Sequence, residues 1–274
     1  MHYDPIKRQL GNLFNSSPLL RKLFYRLLDL LLLRAWHVNK ALKSLQRNSA
    51  VSVKSVLDAG SGFGQYCYGI SRLFPSAKIL GVDVKQEQID DCNQFFQQIG
   101  KGSQVSFEVA DLTQYKAPGK YNLILSVDVM EHILEDELVF QNFSESLQPG
   151  GILLISSPSD QGGSDTDHHD EEGMHGFIDE HVRDGYNMGD IRNKLLKAGF
   201  SGVETSYTYG KYGSVAWKLS MKYPILLLGF SKIFYLLLPF YYLVVFPFCA
   251  ILNYIDANQT NKSGTGLLVK AYKY

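Results

Sequence analysis

The 274-residue sequence predicts an α/β fold, a parallel sheet with helices on both faces. Three observations carry that expectation. Short apolar runs alternate with helical stretches from Val53 onward, as in repeated strand–helix–strand units. The first run, with Val53, Val56 and Leu57, stops at the glycine-rich turn Asp58-Ala59-Gly60-Ser61-Gly62-Phe63-Gly64. The second, Ala77 to Val82, delivers Asp83 to a neighbouring strand end, about 20 residues past the glycines.

The elements follow in order. Strands are expected near 53–58, 78–83, 104–109, 121–127 and 151–156, with helices near 64–74, 86–99 and 134–147. Asp190 to Ala198 reads as a further helix stopped by Gly199, and Val203 to Tyr209 alternates as a sixth strand. Ahead of the core, Pro18 to about Leu45 reads as one helix, since proline is tolerated in a first turn. Leu20, Leu23, Leu27 and Leu31 fall on one side of it, and Arg21, Lys22 and Arg26 decorate the rest. The chain divides into a basic helical segment 1–50, a core 51–210, an apolar helical insert 211–262 and a closing strand 263–274.

Composition narrows the function. Charged residues at 20% and hydrophobic ones at 45% mark a folded chain. The formal net charge is zero, yet the first 50 residues hold nine Lys or Arg against Asp4 and Asp29. A basic stripe confined to that segment argues against nucleic acid and suits an anionic membrane surface. Cys67, Cys92 and Cys249 are scattered, so a reducing compartment is expected and no disulfide framework follows. No secretory signal is convincing, which gives a cytoplasmic expectation, at the inner face of a membrane.

The turn and Asp83 together predict an adenosine-containing cofactor. Glycine lets the backbone approach a ligand closely, and a carboxylate at the second strand end pairs with ribose hydroxyls. A pyrophosphate reader carries G-x-G-x-x-G. Here an acid precedes the first glycine, in the order Asp58-x-Gly60-x-Gly62-x-Gly64, which suits a cationic cofactor without phosphate. The pattern resembles the first motif of class I S-adenosylmethionine (SAM) methyltransferases. Ala110-Asp111-Leu112, Leu123 to Ile133, and Leu147-Gln148-Pro149-Gly150-Gly151 running into Ile152 to Ser156 match further motifs of that family in register.

The resemblance implies a doubly wound, seven-stranded, mostly parallel sheet whose last strand is antiparallel; Gly266 to Lys273 is similar to that strand. It implies a SAM site formed by Asp58, Ala59, Gly60, Ser61, Gly62, Asp83, Val84, Asp111, Leu112 and Ser126. Asp111 is alternatively a simple capping acid ahead of Leu112-Thr113. Asp128-Val-Met-Glu131-His132 leaves the fourth strand at the ligand-binding edge of such sheets. Glu131 and His132 are read there as helix-packing residues, or as acid–base groups, or as part of a divalent metal site. The last reading rests on similarity to the E-x-x-E-H of metal-dependent O-methyltransferases, with Asp in place of the first Glu. His181, ahead of a helix start, is an acceptor-side candidate, whereas His168 and His169 in an acidic run read as solvated surface.

The insert sets the acceptor class. Ile233 to Leu252 is twenty residues without a charge, a length that could span a bilayer, but Pro239 and Pro247 are expected to break it. If the last strand returns to the sheet, a single crossing is excluded. A membrane-dipping hairpin or an in-plane helix pair is therefore expected, with a soluble lid or dimer surface as the rival. The resulting expectation is methyl transfer to an apolar small molecule or lipid, such as an isoprenoid quinone precursor or polyene. The rivals are a soluble small-molecule O- or N-methyltransferase, a non-catalytic SAM-binding membrane scaffold, and a nicotinamide-dependent oxidoreductase. The sequence is silent on oligomeric state.

Overall fold

A computed structural model describes residues 17–48, 52–162, 182–230 and 234–274. Two helices, α1 (Pro18–Leu31) and α2 (Leu33–Arg47), precede the alternating core β1 (Ser55–Ala59), α3 (Gln65–Leu73), β2 (Lys78–Asp83), α4 (Gln86–Gln98) and β3 (Val105–Val109). Then come β4 (Tyr121–Val127), α5 (Asp136–Ser146), β5 (Leu147–Pro158), α6 (Met188–Lys197) and β6 (Gly202–Thr208). Three helices follow, α7 (Lys211–Trp217), α8 (Tyr223–Phe230) and α9 (Phe234–Asn258), before β7 (Gly266–Tyr272).

The seven strands form one sheet in the order β3-β2-β1-β4-β5-β7-β6. The first five are mutually parallel, and β7 lies antiparallel between β5 and β6. Strand β1 is buried on both faces because helices cover both. Phe140, Phe143 and Leu195 pack on one side, and Leu42, Ile70 and Phe96 on the other. The order reverses between β1 and β4, which opens a crevice at their carboxyl ends.

Two expectations about the helical parts need correction. The N-terminal segment is two helices, because Leu32 is extended (φ −90°, ψ 112°). The bend lets its halves serve different neighbours. Helix α1 bonds to the glycine turn and α4, while α2 packs on α9 through His37 Nε2 and Asp256 Oδ1, 2.9 Å apart and both buried. The two sides of α1 meet different surroundings. Arg21 and Tyr25 face inward, and Leu19, Leu23, Leu27 and Leu30 are exposed with Arg26 among them. Specific bonds decide this: the Arg21 guanidinium donates to Asp91 Oδ2 at 2.6 Å and to Phe63 O at 3.0 Å, and lies over Phe95.

The second correction concerns the insert. Helix α9 runs unbroken through Pro239 and Pro247. The distortion falls on its partner, where Lys218–Lys222 is a wide π-turn between α7 and α8. Pro224 has no N–H to return to the carbonyls one turn earlier. The Tyr241 and Tyr242 hydroxyls of α9 donate instead to Leu219 O and Ser220 O, each at 2.6 Å. A helical hairpin thus leaves the sheet at Thr208 and returns at Gly266, which are register partners.

Candidate SAM and acceptor site

A cavity of about 860 Å³ opens at the carboxyl ends of β1, β2 and β4. Its nucleoside side is built by backbone. The Gly60 and Ser61 N–H groups both donate to Val82 O, at 2.8 and 2.9 Å, which folds the turn over β2. Gly60 sits at φ 81°, and a Cβ there would stand 2.2 Å from Val129 Cγ2. No other residue fits that cradle. The Asp83 carboxylate accepts from Gly62 N at 3.0 Å and Lys85 N at 3.1 Å, so both oxygens are oriented while each keeps a lone pair for a ligand. Val84 beside it is an exposed apolar side chain on the cavity edge.

Of the residues expected to hold the cofactor, Gly60, Asp83, Val84, Asp111 and Leu112 line this cavity. Asp58, Ala59, Ser61, Gly62 and Ser126 are not among its lining residues; all but Gly62 are buried. Asp58 is buried against α3, where the Cys67 thiol donates to Oδ2 at 3.1 Å. Burial pushes its carboxyl up to about 6. Asp111 caps a turn rather than a helix, its Oδ1 accepting from Thr113 N at 2.9 Å and from Oγ1 at 2.8 Å.

Glu131 and His132 form a short 3₁₀ turn after β4 and both line the cavity. Glu131 is buried and accepts from Ser157 Oγ at 3.1 Å, whereas His132 is exposed at the mouth. Burial and then the neighbouring Asp128 charge push the Glu131 carboxyl well above the usual carboxylate range. His181 lies outside the described residues. Among the described residues no group of three or more His, Cys, Asp or Glu is placed to hold a metal ion.

The lining residues that escaped the sequence reading include Arg34 of α2, Tyr66 of α3, Tyr209 after β6 and Trp217 of α7. The Arg34 guanidinium pairs with Asp128, and its backbone N–H donates to the Tyr209 hydroxyl at 3.0 Å. Tyr66 is the one that sequence could have flagged, since it follows the glycine turn directly. Its hydroxyl, like Ser61 Oγ, is buried without a hydrogen-bond partner among the described residues. A tight backbone cradle, an oriented carboxylate and an apolar edge fit a bound nucleoside.

The methyltransferase-domain family model matches residues 51–199. Phosphoethanolamine N-methyltransferase 1 of Triticum aestivum is 30% identical over 154 residues, 55% of this chain and 29% of that protein. Malonyl-[acyl-carrier protein] O-methyltransferase 2 of Ilyobacter polytropus is 29% identical over 105 residues, 38% of this chain and 39% of that one. The chain therefore spans well under half the length of these curated relatives. Among solved structures, Haemonchus contortus phosphoethanolamine N-methyltransferase 2 in complex with SAM aligns with a TM-score of 0.61 at 19% identity, covering 87% of this chain and 52% of that one. An O-methyltransferase from a Brevibacillus brevis trans-AT polyketide synthase aligns at 0.55 and 18% identity, covering 86% and 72%. With the family model spanning β1 through α6 and the glycine cradle facing Asp83, the chain belongs to the class I SAM-dependent methyltransferases.

Proposed function

We propose that this enzyme methylates an apolar acceptor, a lipid, isoprenoid quinone precursor or polyene, while docked on the inner face of a membrane. The observation that carries the reading is the hairpin surface. Leu236, Phe240, Leu243, Val244, Phe248 and Ile251 form one exposed stripe of α9, and Leu243 and Val244 are 75% and 76% accessible. Only 11% of the most apolar 18-residue window of α9 is buried, so this is no core helix. The exposed leucines of α1, with Arg26 among them, supply a second apolar surface edged by positive charge.

When bound, SAM supplies an electrophilic methyl group on its sulfonium. The chain's own contribution is placement. Asp83 and Val84 hold the nucleoside, and the remaining cavity holds the acceptor at attack distance, with acid–base help secondary. Glu131, whose carboxyl burial and the Asp128 charge push upward, lines the acceptor region and is oriented by Ser157 Oγ. His132 at the mouth takes the proton that an acceptor hydroxyl gives up.

One set of relatives favours a second reading. Several are named for phosphoethanolamine, a small polar amine, and the cations Arg34 and Lys218 both line the cavity, as an acceptor phosphate would require. Mass spectrometry of lipid extracts from cells with and without the protein separates the two. A lipid heavier by one methylene, missing when Asp83→Ala replaces the wild type, supports the apolar acceptor. Methylated product found only in the aqueous fraction overturns it.

A further inference from the structure

A second cavity of about 200 Å³ adjoins the first, and Arg34, Tyr209 and Trp217 line both. Its far walls are Leu31, Leu32 and Leu33 at the bend between α1 and α2, facing Met221 and Ile225 of the insert. The cavity therefore sits between the polar methyl-transfer site and the two exposed apolar surfaces. The π-turn forms part of its wall through Ser220 and Met221, and Pro224 with the two tyrosine caps holds that turn open.

One lining residue does not suit a purely hydrocarbon space. Asn253 of α9 is 2% exposed, and its Oδ1 has no hydrogen-bond partner among the described residues. A buried amide oxygen without a partner, on a residue that lines a cavity, marks a place where a donor is missing.

We propose that this cavity receives the apolar chain of the methyl acceptor, and that Asn253 Oδ1 accepts a hydrogen bond from a hydroxyl or amide N–H carried on that chain. This assignment rests on the apolar-acceptor reading above and makes it more specific. The acceptor is then an amphiphile that lies with its reacting head among Asp128, Glu131 and His132, passes Arg34 and Trp217, and seats its chain against Leu33 and Ile225. The donor requirement selects hydroxylated or amide-bearing chains over plain alkyl ones. It also gives the insert a role in specificity beside any role in docking.

The chain carries two tryptophans, Trp36 and Trp217, so a Trp36→Phe protein reports on the cavity boundary alone. The probes are a bromo-terminated decanol, whose bromine quenches indole fluorescence, and its methyl ether, which lacks the donor. The alcohol is expected to quench Trp217 saturably and to bind about tenfold more tightly than the ether, the size of one well-made hydrogen bond. Asn253→Leu should erase that preference. Ile225→Phe, which fills the cavity, should weaken both probes while leaving SAM binding by calorimetry unchanged.

Non-saturating quenching, or probe affinities untouched by Ile225→Phe, would overturn the cavity assignment. Equal binding of alcohol and ether to the wild type would overturn the role of Asn253, as expected if water alone sits there. If Ile225→Phe also loses SAM, the alcohol–ether comparison in wild type and Asn253→Leu decides. The probes need no membrane, so failure of the apolar-acceptor reading appears separately, as alkyl binding without any methylated lipid.

Discussion

The backbone N–H of Arg34 donates to the Tyr209 hydroxyl while the Arg34 guanidinium holds Asp128 across the cavity mouth. Asp128 (φ 51°) and Tyr209 (φ 54°) are the two non-glycine residues with positive φ among those described. Each such backbone costs about 1–3 kcal/mol and persists only where its surroundings enforce it. One residue from the N-terminal helices thus ties down both strained edges of the site. Arg34→Ala is expected to lower kcat and raise KM for the acceptor by about tenfold or more, as misplacement by about an ångström can. SAM affinity and thermal stability should change little, since Arg34 is half-exposed. Steady-state kinetics with calorimetry reads the split.

Asp83 and Gly60 shape the nucleoside side by different means. Asp83→Asn keeps one of the two backbone bonds, from Gly62 N or Lys85 N, and loses the charged acceptor for ribose hydroxyls, and should weaken SAM by about 1.5–3 kcal/mol. Gly60→Ala drives a Cβ into Val129 and should abolish SAM binding while the far-UV spectrum stays native. Calorimetric titration of both variants checks the pair.

A pH dependence of stability and of SAM binding is expected from Asp58. Burial pushes its carboxyl from the ordinary aspartate range up to about 6. The penalty for ionising it in place is absent below about pH 4 and complete above about pH 6, so this group alone makes the apo-protein less stable at pH 8 than at pH 4, by about 2–3 kcal/mol. Asp58→Asn should remove that slope. A cationic donor bound near the turn favours the ionised form, so SAM affinity of the wild type should rise between pH 5 and 7 and stay flat in Asp58→Asn. Affinity independent of pH in both proteins would remove Asp58 from any electrostatic role.

The tyrosine caps on the π-turn carry a stability prediction. Tyr242→Phe leaves Ser220 O without the donor that Pro224 cannot supply, and should cost about 1–2 kcal/mol. Tyr241→Phe should do the same at Leu219 O. The restored variant Pro224→Ala in the Tyr242→Phe background should recover part of the loss. Chemical denaturation measures all three.

How much of this was legible in the sequence follows the range of the interactions. The core was, because strand period, the glycine turn and Asp83 are local signals, and β7 followed once its alternation was matched to the sheet. The face of α1 was not. Period groups the leucines on one side, but the inward side is set by Arg21, which finds Asp91, 70 residues away, and Phe63 O in the glycine turn. Arg34 was invisible for the same reason, since Asp128 lies 94 residues on. Prolines 239 and 247 suggested a break in α9, whereas the fold placed the distortion at Pro224, where facing hydroxyls could repair it. The partner of Asp58 was equally out of reach, since motif spacing cannot reveal that the Cys67 thiol donates to its carboxylate.

Flotation with liposomes tests the membrane reading most directly. Wild-type protein is mixed with vesicles of zwitterionic lipid, with and without anionic lipid, and compared with the Leu243→Asp, Val244→Asp double variant, whose altered side chains touch neither cavity. The wild type should float with both, more completely with anionic lipid, and remain bound through a high-salt wash, while the double variant stays at the bottom and still binds SAM. Wild-type protein that stays at the bottom with every vesicle, monodisperse without detergent, would contradict a membrane-borne acceptor.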